Sequence, residues 1–361
     1  MRGVRASDRA RTHLLPGSHA GGGERVSGPD AGGDEQPPEA EDTASVAALG
    51  PPLLVLTGPT GTGKSNLAVA LAERIGGEVV ACDALQVYRG LDAATGKPTE
   101  GQRARVPHWL VDIVDPRRDY SLADYVHDAS RAIAAIHARG RVPIVAGGTG
   151  MYLRGLLKGI VEAPARDERL RERLRARLAR DGPRRLHAIL SRLDPGSAAR
   201  VPPEDRQRVV RALELALSGG PSWSQRLAGE GTWSKPEERF RALKFALDLP
   251  REALARRLAE RVGAFFDAGL CEEVDRLLAE GVPPGANAFK AIGYREVLRA
   301  RLEGGDPRGT REEIVTSTRR LAKRQRTWLR REPALRWLDA AEGDEALVAR
   351  IEEAWRVLDS R

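Results

Sequence analysis

The sequence has little cysteine and no long apolar run. Cys82 and Cys271 lie far apart, with no Cys-x-x-Cys pair and no cysteine–histidine cluster near either. This spacing disfavours a disulfide framework and a structural zinc site. No segment approaches the roughly 18 apolar residues of a membrane-spanning helix, and the N-terminus lacks a hydrophobic segment followed by a cleavage site. We therefore expect a cytoplasmic protein from a reducing compartment, with no membrane partner.

Acidic residues are too few to balance the basic ones beyond the N-terminal segment. The 361-residue chain has a formal charge of +8, and residues 1–50 hold five arginines against eight acids. Residues 51–361 carry 54 basic and 43 acidic residues, which leaves a net charge of +11. Such an excess suits a polyanionic partner such as nucleic acid, but many arginine-rich proteins are basic without one. Charge alone leaves both interpretations open.

Composition divides the chain into an extension, a core and an insertion. Residues 1–50 are rich in glycine, proline, alanine and acids and have no helical or strand periodicity, which predicts a disordered extension. The length of the chain favours about two domains. We assign residues 51–164 and 237–340 to a catalytic core with C-terminal helices, residues 165–236 to a helical insertion, and residues 341–361 to a C-terminal helix or tail.

Short apolar runs alternate with helical patterns in the first half of the chain. This alternation predicts an α/β fold with a parallel sheet, whose functional groups gather beyond the carboxyl ends of the strands. Helices dominate after about residue 164. The predicted strands are 53–56, 79–82, 110–114 and 142–146, with a return strand at 245–247, and the predicted helices include 65–75, 121–138 and 205–218.

A glycine-rich motif follows the first predicted strand and opens a helix. It matches the pattern G-x-x-x-x-G-K-[ST], in which backbone N–H groups and a helix N-terminus converge on phosphate oxygens. Lys64 supplies a mobile cation, and the hydroxyl of Ser65 is a candidate ligand for Mg²⁺. The motif accepts the diphosphate of ATP, GTP or another ester. Its residues are Gly58, Pro59, Thr60, Gly61, Thr62, Gly63, Lys64 and Ser65.

Two further loops follow predicted strands and should face the same crevice. Asp83 ends the second strand, where an acid can bind Mg²⁺ or accept a proton from an acceptor group, or can simply cap a helix. Thr149 lies in a Gly-Gly-Thr-Gly loop after the fourth strand. An Asn-Lys-x-Asp sequence and a downstream strand ending in Asp-Glu are both missing, which disfavours a GTPase and a motor ATPase.

With these three loops in this order and spacing, the chain resembles the tRNA dimethylallyltransferases, which are P-loop-fold prenyltransferases. The resemblance covers about residues 52–338 and implies a P-loop NTPase-like parallel sheet core with a mostly helical insertion and a helical C-terminal region. One departure is Ala84, where the family has serine. Further matching segments are 96–98, 107–112, 120–124, 147–157, 205–214, 269–274, 291–296 and 321–330.

The resemblance implies transfer of a dimethylallyl group from dimethylallyl diphosphate to N6 of adenosine 37 in tRNAs that read codons beginning with U. Lys64, Ser65 and Mg²⁺ would neutralise the departing diphosphate, with Thr149 near the breaking C–O bond. Asp83 would accept the proton of the attacking amine. Arg257 and Arg261, one helical turn apart, are candidates for a further diphosphate contact, with simple surface charge as the alternative.

The resemblance also implies a set of residues that face tRNA. Gln86 would orient the target base or a neighbouring base by hydrogen bonds. The target base must leave its stack in the anticodon loop to be modified. Taken alone, each of the segments rich in arginine and lysine that carry these residues would be interpreted as an ordinary solvated helix face. We expect a monomer whose partners are tRNA and dimethylallyl diphosphate. The predicted tRNA-binding residues are Asp83, Ala84, Leu85, Gln86, Thr149, Arg171, Gln207, Arg208, Arg211, Lys290, Gly293, Tyr294, Arg295, Lys323, Arg324, Arg326 and Arg330.

Three alternative functions remain open from the sequence. The first is a prenyltransferase that acts on free adenine nucleotides, which would not need the basic helical C-terminal half. The second is a small-molecule P-loop kinase, and the third is a tRNA-binding module without catalysis. For two other residues the structural interpretation is favoured: Trp328 is predicted to pack the C-terminal helix, and His108 is predicted to be structural.

Overall fold

The computed structural model describes residues 50–160, 164, 167–230 and 238–359. The predicted disordered extension, residues 1–50, lies outside the described residues except at its last position. The described chain forms an α/β fold around a six-stranded sheet of order β3-β2-β4-β1-β5-β6. Every strand pairing in it is parallel. The strands are β1 Gly50–Thr57, β2 Gly77–Ala81, β3 His108–Trp109, β4 Val142–Ala146, β5 Phe240–Asp248 and β6 Leu335–Asp339.

Both faces of the sheet are buried at its inner strands because helices cover each side. Alternate residues of a strand point to opposite faces, so Leu53 and Val55 of β1 join one core while Leu54 and Leu56 join the other. The first core is completed by α3 (Leu122–Ala138) and α4 (Gly150–Lys158), and the second by α1 (Lys64–Ile75). A further short helix, α2 (Glu100–Arg105), precedes β3. The predicted parallel α/β core is confirmed.

The helix after Tyr120 begins where the sequence predicts. The side chain of Ser121 accepts a hydrogen bond from the backbone N–H of Asp124, and a carboxylate oxygen of Asp124 accepts one from the N–H of Ser121 at 2.8 Å. This reciprocal pair satisfies two N–H groups that a helix start leaves open. The predicted capping box is therefore confirmed.

The predicted third strand at 110–114 is wrong. The structure places β3 at His108–Trp109, and the chain then turns away with positive φ angles of 64° at Leu110 and 58° at Asp112. Lys97 pairs with Asp112, and Val114 donates its N–H to the carbonyl oxygen of Val87 at 2.8 Å. These contacts attach the segment to the loop after β2. Apolar residues that read as a strand therefore pack against that loop.

One strand was missing from the sequence-based prediction. β6 (Leu335–Asp339) adds to the outer side of β5, and α14 (Asp344–Asp359) then packs against α1. Leu347, Ile351 and Trp355 of α14 are buried in the second core. Only Leu338 of β6 is buried there, so the strand lacks the apolar run by which the others were recognised.

Helices make up the described parts of the insertion and most of the C-terminal region. The insertion has its own small core, which includes Leu174, Leu190 and Leu213. Its helices are α5 (Glu168–Asp181), α6 (Pro183–Leu193), α7 (Pro195–Ala198), α8 (Arg206–Leu217) and α9 (Trp223–Glu230). The C-terminal region contains α10 (Arg251–Asp267), α11 (Leu270–Ala279), α12 (Tyr294–Leu302) and α13 (Arg311–Leu329), with short 3₁₀ turns at Asn287–Lys290, Pro307–Thr310 and Ala340–Glu342.

Candidate active site at the carboxyl ends of the strands

A cavity of about 540 Å³ lies beyond the carboxyl ends of β1, β2 and β4. Its size is that of a small-molecule site. The phosphate loop, the segment after β2, the loop after β4 and helix α10 all contribute to its wall. Lining residues include Thr60, Gly61, Gly63, Lys64, Ser65, Asp83, Gln86, Gly147, Gly148, Arg257, Arg261 and Gln325. The parallel sheet thus brings residues from distant parts of the sequence to one place.

The phosphate loop adopts a backbone conformation that requires glycine. Gly58, Gly61 and Gly63 have φ angles of 140°, 85° and 94°, in the region that other residues rarely adopt. A Cβ atom at Gly58 would overlap the carbonyl oxygen of Leu247 on β5. The hydroxyl of Thr62 donates to the carbonyl oxygen of Pro59 at 3.0 Å, which closes the loop from inside.

Lys64 is the principal cation of the loop. Its ammonium group donates to the carbonyl oxygen of Pro59 at 2.7 Å. Burial among the loop and its neighbours, together with the nearby positive charge of Arg261, lowers the pKa of Lys64 to about 8, against an opposing effect of Asp83. A bound polyanion would favour the charged form. The ammonium group of Lys64 therefore favours the binding of phosphate groups in the cavity.

Asp83 occupies a turn at the end of β2. Its Oδ1 accepts hydrogen bonds from the N–H groups of Leu85 at 2.9 Å and Gln86 at 3.4 Å. Burial raises the pKa of Asp83, although these two N–H groups and the charge of Lys64 oppose the effect. The residue caps a turn with one oxygen, rather than a helix as in the alternative interpretation, and it also lines the cavity. A carboxylate with a raised pKa is suited to accept a proton.

Thr149 joins the two loops that follow β2 and β4. Its hydroxyl oxygen accepts a hydrogen bond from the N–H of Ala84 at 3.2 Å, and its own N–H donates to the carbonyl oxygen of Cys82 at 3.2 Å. Because the hydroxyl oxygen acts as an acceptor here, its proton is available for a ligand. At Gly147 a Cβ atom would overlap the Cys82 backbone. This close approach explains why the loop begins with glycine.

Gln86 is held by the segment that precedes α2. Its side-chain nitrogen donates to the carbonyl oxygens of Thr95 at 3.3 Å and Gly96 at 2.8 Å. The amide therefore has a fixed orientation, and its oxygen remains an acceptor beside the cavity. This arrangement is compatible with the predicted role of orienting the target base or a neighbouring base by hydrogen bonds, which stays a prediction.

Two arginines of α10 line the cavity together with Glu260. The guanidinium of Arg261 lies against the Gly96 backbone and close enough to Asp83 for the two charges to interact. Burial lowers the pKa of Arg261. Arg257 is exposed at the rim. Both predicted diphosphate contacts therefore line the cavity, and their contact with a ligand stays a prediction.

Two residues have the structural surroundings predicted for them. Trp328 packs its ring against Gly150, and the guanidinium of Arg154 lies over the ring at 5.7 Å from its centroid. The Nδ1 atom of His108 lies 2.8 Å from the carbonyl oxygen of Val106, and burial lowers the pKa of the imidazole. His108 also lines the cavity, where it is an uncharged wall at neutral pH.

The predicted tRNA-binding residues of the insertion differ in exposure. Arg171 and Arg211 form ion pairs with Glu214, a buried carboxylate of α8, at 3.3 Å and 2.9 Å. The ion pair of Arg171 therefore links α5 to α8, whereas that of Arg211 lies within α8. Gln207 and Arg208 are exposed on the first turn of α8. Contact of any of the four with RNA stays a prediction.

The predicted residues around the start of α12 also differ. Lys290 and Arg295 are exposed, whereas Tyr294 is fully buried and its hydroxyl donates to the carboxylate of Glu273. Gly293 has a φ angle of 98° and begins the helix. In this structure the Tyr294 side chain therefore supports the turn from inside, while the two cations face outward.

Helix α13 carries the last group of predicted residues. Lys323, Arg324 and Arg330 are exposed. Arg326 is half-buried and pairs with Asp248 at the end of β5 at 2.5 Å. It also donates to the carbonyl oxygen of Leu249 at 2.9 Å. Arg326 therefore fixes the helix to the sheet, and its three neighbours form an open basic face.

Gln325 is a further residue of the site that no sequence motif indicated. It lies on the inner face of α13 and lines the cavity. It has polar contacts with both the phosphate loop and the loop after β4. The available signal was spacing: Ala322, Gln325 and Leu329 recur at helical intervals and are all buried. A glutamine on an apolar face indicates a specific polar partner.

The donor set at the loop fits a magnesium ion held mainly by its substrate. Ser65 lies in the first turn of α1 beside the cavity and offers one hydroxyl oxygen. Among the described residues, no group of three or more histidines, cysteines and acids could hold a metal. Mg²⁺ commonly takes one or two protein ligands together with phosphate oxygens and waters. This arrangement therefore suits Mg²⁺ only when a diphosphate is bound with it.

We expect the affinity for pyrophosphate to fall as the pH rises through the pKa of Lys64. Since that pKa is lowered to about 8, the charged form predominates at pH 7 and is lost above pH 8. Between pH 7 and pH 9 the protonated fraction falls about tenfold, and the dissociation constant should rise by up to about that factor. Isothermal titration calorimetry with pyrophosphate and Mg²⁺ measures it. The Lys64→Arg variant, whose charge does not titrate here, supplies the control for the ionisation of pyrophosphate itself.

Comparisons with known proteins identify the family of the chain. The family model described as IPP transferase matches residues 86–332, and that described as isopentenyl transferase matches residues 51–109. A tRNA dimethylallyltransferase of Thermomicrobium roseum is 46% identical over 309 residues, 84% of this chain and 92% of that protein. One from Anaeromyxobacter dehalogenans is 47% identical over 302 residues, 83% of this chain and 99% of that protein.

Solved structures show the same architecture. The full-length tRNA isopentenylpyrophosphate transferase of Bacillus halodurans superposes with a TM-score of 0.61 at 32% identity, over 86% of this chain and all of that one. A eukaryotic dimethylallyltransferase described as acting on tRNA superposes with a TM-score of 0.69 at 28% identity, over 81% of this chain and 74% of that one. On the sequence match, the structural match and the site together, the chain belongs to the IPP transferase family of tRNA dimethylallyltransferases.

Proposed function

We propose that the protein transfers the dimethylallyl group of dimethylallyl diphosphate to N6 of adenosine 37, in tRNAs that read codons beginning with U. The products are N6-dimethylallyladenosine and diphosphate. The observation that carries the proposal is a cavity lined by both Lys64 and Asp83, in a chain of this family. The hydroxyl of Thr149 accepts the N–H of Ala84, the residue that follows Asp83. A phosphate-binding loop, a proton acceptor and a hydroxyl donor are the groups that this reaction needs.

The donor binds with its diphosphate in the phosphate loop. Backbone N–H groups of the loop, the ammonium of Lys64 and the guanidinium groups of Arg257 and Arg261 counter its negative charge. Ser65 would hold Mg²⁺, which supplies further neutralisation of the leaving diphosphate when bound. Thr149 donates its hydroxyl proton toward the oxygen that leaves, because the Ala84 N–H already occupies one of its acceptor positions.

The acceptor amine attacks the allylic carbon as the C–O bond to the diphosphate breaks. The N6 amine is a weak base because its lone pair is conjugated with the ring, so the nitrogen must lose a proton as its new bond forms. The carboxylate of Asp83 takes that proton. Its raised pKa makes it a better proton acceptor than an ordinary exposed aspartate. The side-chain oxygen of Gln86 accepts the second amine hydrogen and orients the base.

The RNA approaches over exposed basic groups of the helical regions. The adenosine must be extruded from the anticodon loop to enter a cavity of this size. Their exposure supports phosphate contacts by Lys290, Arg295, Lys323, Arg324 and Arg330, and by Gln207 and Arg208 of the insertion. One chain supplies all of these groups, which supports a monomeric enzyme, and its substrate would be met in the cytoplasm. Among the described helices none is long and apolar enough to cross a bilayer.

A transfer assay tests the proposed function directly. The purified protein is incubated with Mg²⁺, dimethylallyl diphosphate and an unmodified tRNA that carries A36-A37, and nuclease digestion followed by mass spectrometry locates the product. We expect one dimethylallyl increment on adenosine 37 and none on the same tRNA carrying G37. Parallel reactions with AMP, and with ATP as a phosphate donor, should give no product. Prenylated AMP with unmodified tRNA, or phosphate transfer alone, would reject the proposal.

A further inference from the structure

We propose that Gln325 is a positioning residue that fixes the phosphate loop relative to the Gly147–Thr149 loop; the role rests on the proposed function. Its carboxamide bridges the two loops. The backbone N–H of Thr60 donates to Oε1 at 2.8 Å, and Nε2 donates to the carbonyl oxygen of Gly148 at 3.0 Å. Gln325 is the only side chain among the described residues with hydrogen bonds to both loops.

The chain is shaped to admit this one amide. Gln325 is 8% exposed, so an unpaired carboxamide there would carry a desolvation cost. A Cβ atom at Gly148 would overlap Nε2 of Gln325. Glycine at this position is therefore needed for the bridge itself, since the backbone of Gly148 does not have a positive φ angle. The bridge thus requires glutamine at position 325 and glycine at position 148.

Two residues that follow Gln325 in helix α13 fix the helix to other parts of the core. Arg326 pairs with Asp248 at the end of β5 at 2.5 Å. Trp328 packs against Gly150, the first residue of α4. With the helix attached to the sheet and to α4, the amide of Gln325 has little freedom to follow a movement of either loop. It acts as a fixed reference for both.

The bridge matters because the two loops act on different parts of one substrate. The phosphate loop binds the diphosphate, while Thr149 acts at the bond that breaks. A displacement of about 1 Å between such groups can lower a rate by about a hundredfold. Gln325 contacts neither the transferred group nor the acceptor in this scheme. It keeps Thr149 in register with the bound diphosphate.

The first test removes the bridge and keeps the volume of the side chain. In the Gln325→Met variant we expect the kcat for prenyl transfer to fall on the order of tenfold or more, since two hydrogen bonds are lost at a buried site. The affinity for pyrophosphate with Mg²⁺ should fall less than kcat does. The apparent affinity for tRNA should stay within about twofold. Thr316→Ala, an exposed position on the same helix, is the matched control and should leave all three values unchanged.

The second test is a double-mutant cycle between the two partners. Gly148→Ala should impair transfer strongly, because the new methyl group displaces the amide. In Gln325→Ala the amide no longer occupies that space. The nearest remaining atom to the new methyl group is then the carbonyl oxygen of Gly58, at 3.4 Å. The double variant should therefore be no less active than Gln325→Ala alone. Thermal melting of each variant separates this effect from loss of folding.

Additive losses in the cycle would overturn the proposal, as would a Gln325→Met variant that melts normally and transfers at the rate of the unaltered protein. A loss of tRNA affinity without a change in kcat would also overturn it and would place Gln325 in RNA binding. The pyrophosphate measurement distinguishes this failure from failure of the proposed function. If the unaltered protein makes no prenylated tRNA but the cycle is non-additive for pyrophosphate binding, the bridge stands and the assigned reaction does not.

Discussion

Replacing Asp83 with asparagine is expected to lower the kcat of prenyl transfer by about 10²–10⁴-fold, the range typical of a lost general base. Asparagine has nearly the same shape, and its side-chain oxygen can still accept the N–H of Leu85, so the turn after β2 is kept. The affinity for dimethylallyl diphosphate should be unchanged or tighter, because a negative charge near Lys64 is removed. Affinity for tRNA should change little. Single-turnover kinetics with saturating tRNA measure the effect.

The pH profile sharpens the same prediction. Burial raises the pKa of Asp83, so the acid limb of kcat should lie above the ordinary range of a carboxylate, with activity falling as the pH falls. This limb should be absent from the residual activity of Asp83→Asn. Asp267→Asn makes the same chemical change at an exposed position near the end of α10 and should alter neither kcat nor the profile. An Asp83→Asn variant that retains more than a tenth of the normal kcat would remove Asp83 from the proton transfer.

The parts of the site that the sequence predicted are those carried by short, contiguous patterns. The residues from Gly58 to Ser65 specify the loop because each glycine answers a local backbone demand, a positive φ angle or a close approach to a neighbour. Asp83 and Thr149 were located because parallel strands place their carboxyl ends on one edge. The N–H of Ala84, the residue after Asp83, donates a hydrogen bond to the hydroxyl oxygen of Thr149, which shows that the two loops meet.

The parts that escaped prediction depend on contacts distant in sequence. Gln325 lies 265 residues from Thr60 and 177 from Gly148, and no local pattern reports such a bridge. The same limit applies to Tyr294, whose burial and contact with Glu273 become visible only in the folded chain. The strand predicted at residues 110–114 is wrong because contacts distant in sequence override a local apolar pattern. Their apolar character is real, but Lys97 and Val87 decide where they pack.

Two arginines that were predicted to contact tRNA form ion pairs inside the insertion, and no sequence motif indicated these pairs. Arg171 and Arg211 belong to segments that read as basic helix faces, yet both are paired with the buried carboxylate of Glu214. A buried acid draws its cations inward, because an unpaired buried charge is costly. Three of the predicted tRNA-binding residues, Lys323 and Arg324 of α13 and Arg330 directly after it, are exposed and have no such acid beside them among the described contacts. The open basic face of α13 is therefore the stronger candidate for RNA contact.

Replacing Gly58 with alanine is expected to remove the phosphate loop from its working position. The residue has a φ angle of 140°, and the added Cβ would overlap the carbonyl oxygen of Leu247, a backbone atom of a buried central strand that has no room to yield. The strain should cost about 3 kcal/mol or more, divided between folding and the loop. We expect the affinity for pyrophosphate to fall by about a hundredfold or more. Calorimetry and thermal melting measure the two parts.

Gly140→Ala supplies the matched comparison for Gly58→Ala. Gly140 also has a positive φ angle, 65°, but a Cβ there would meet nothing within 4 Å, and it lies after α3, away from the cavity. Its substitution should cost only about 1 kcal/mol of stability, with unchanged affinity for pyrophosphate. The difference between the two variants reports the clash with β5 together with the less favourable φ angle of Gly58. If Gly58→Ala bound pyrophosphate as Gly140→Ala does, the close approach of the phosphate loop to Leu247 would not be what holds the loop in its binding conformation.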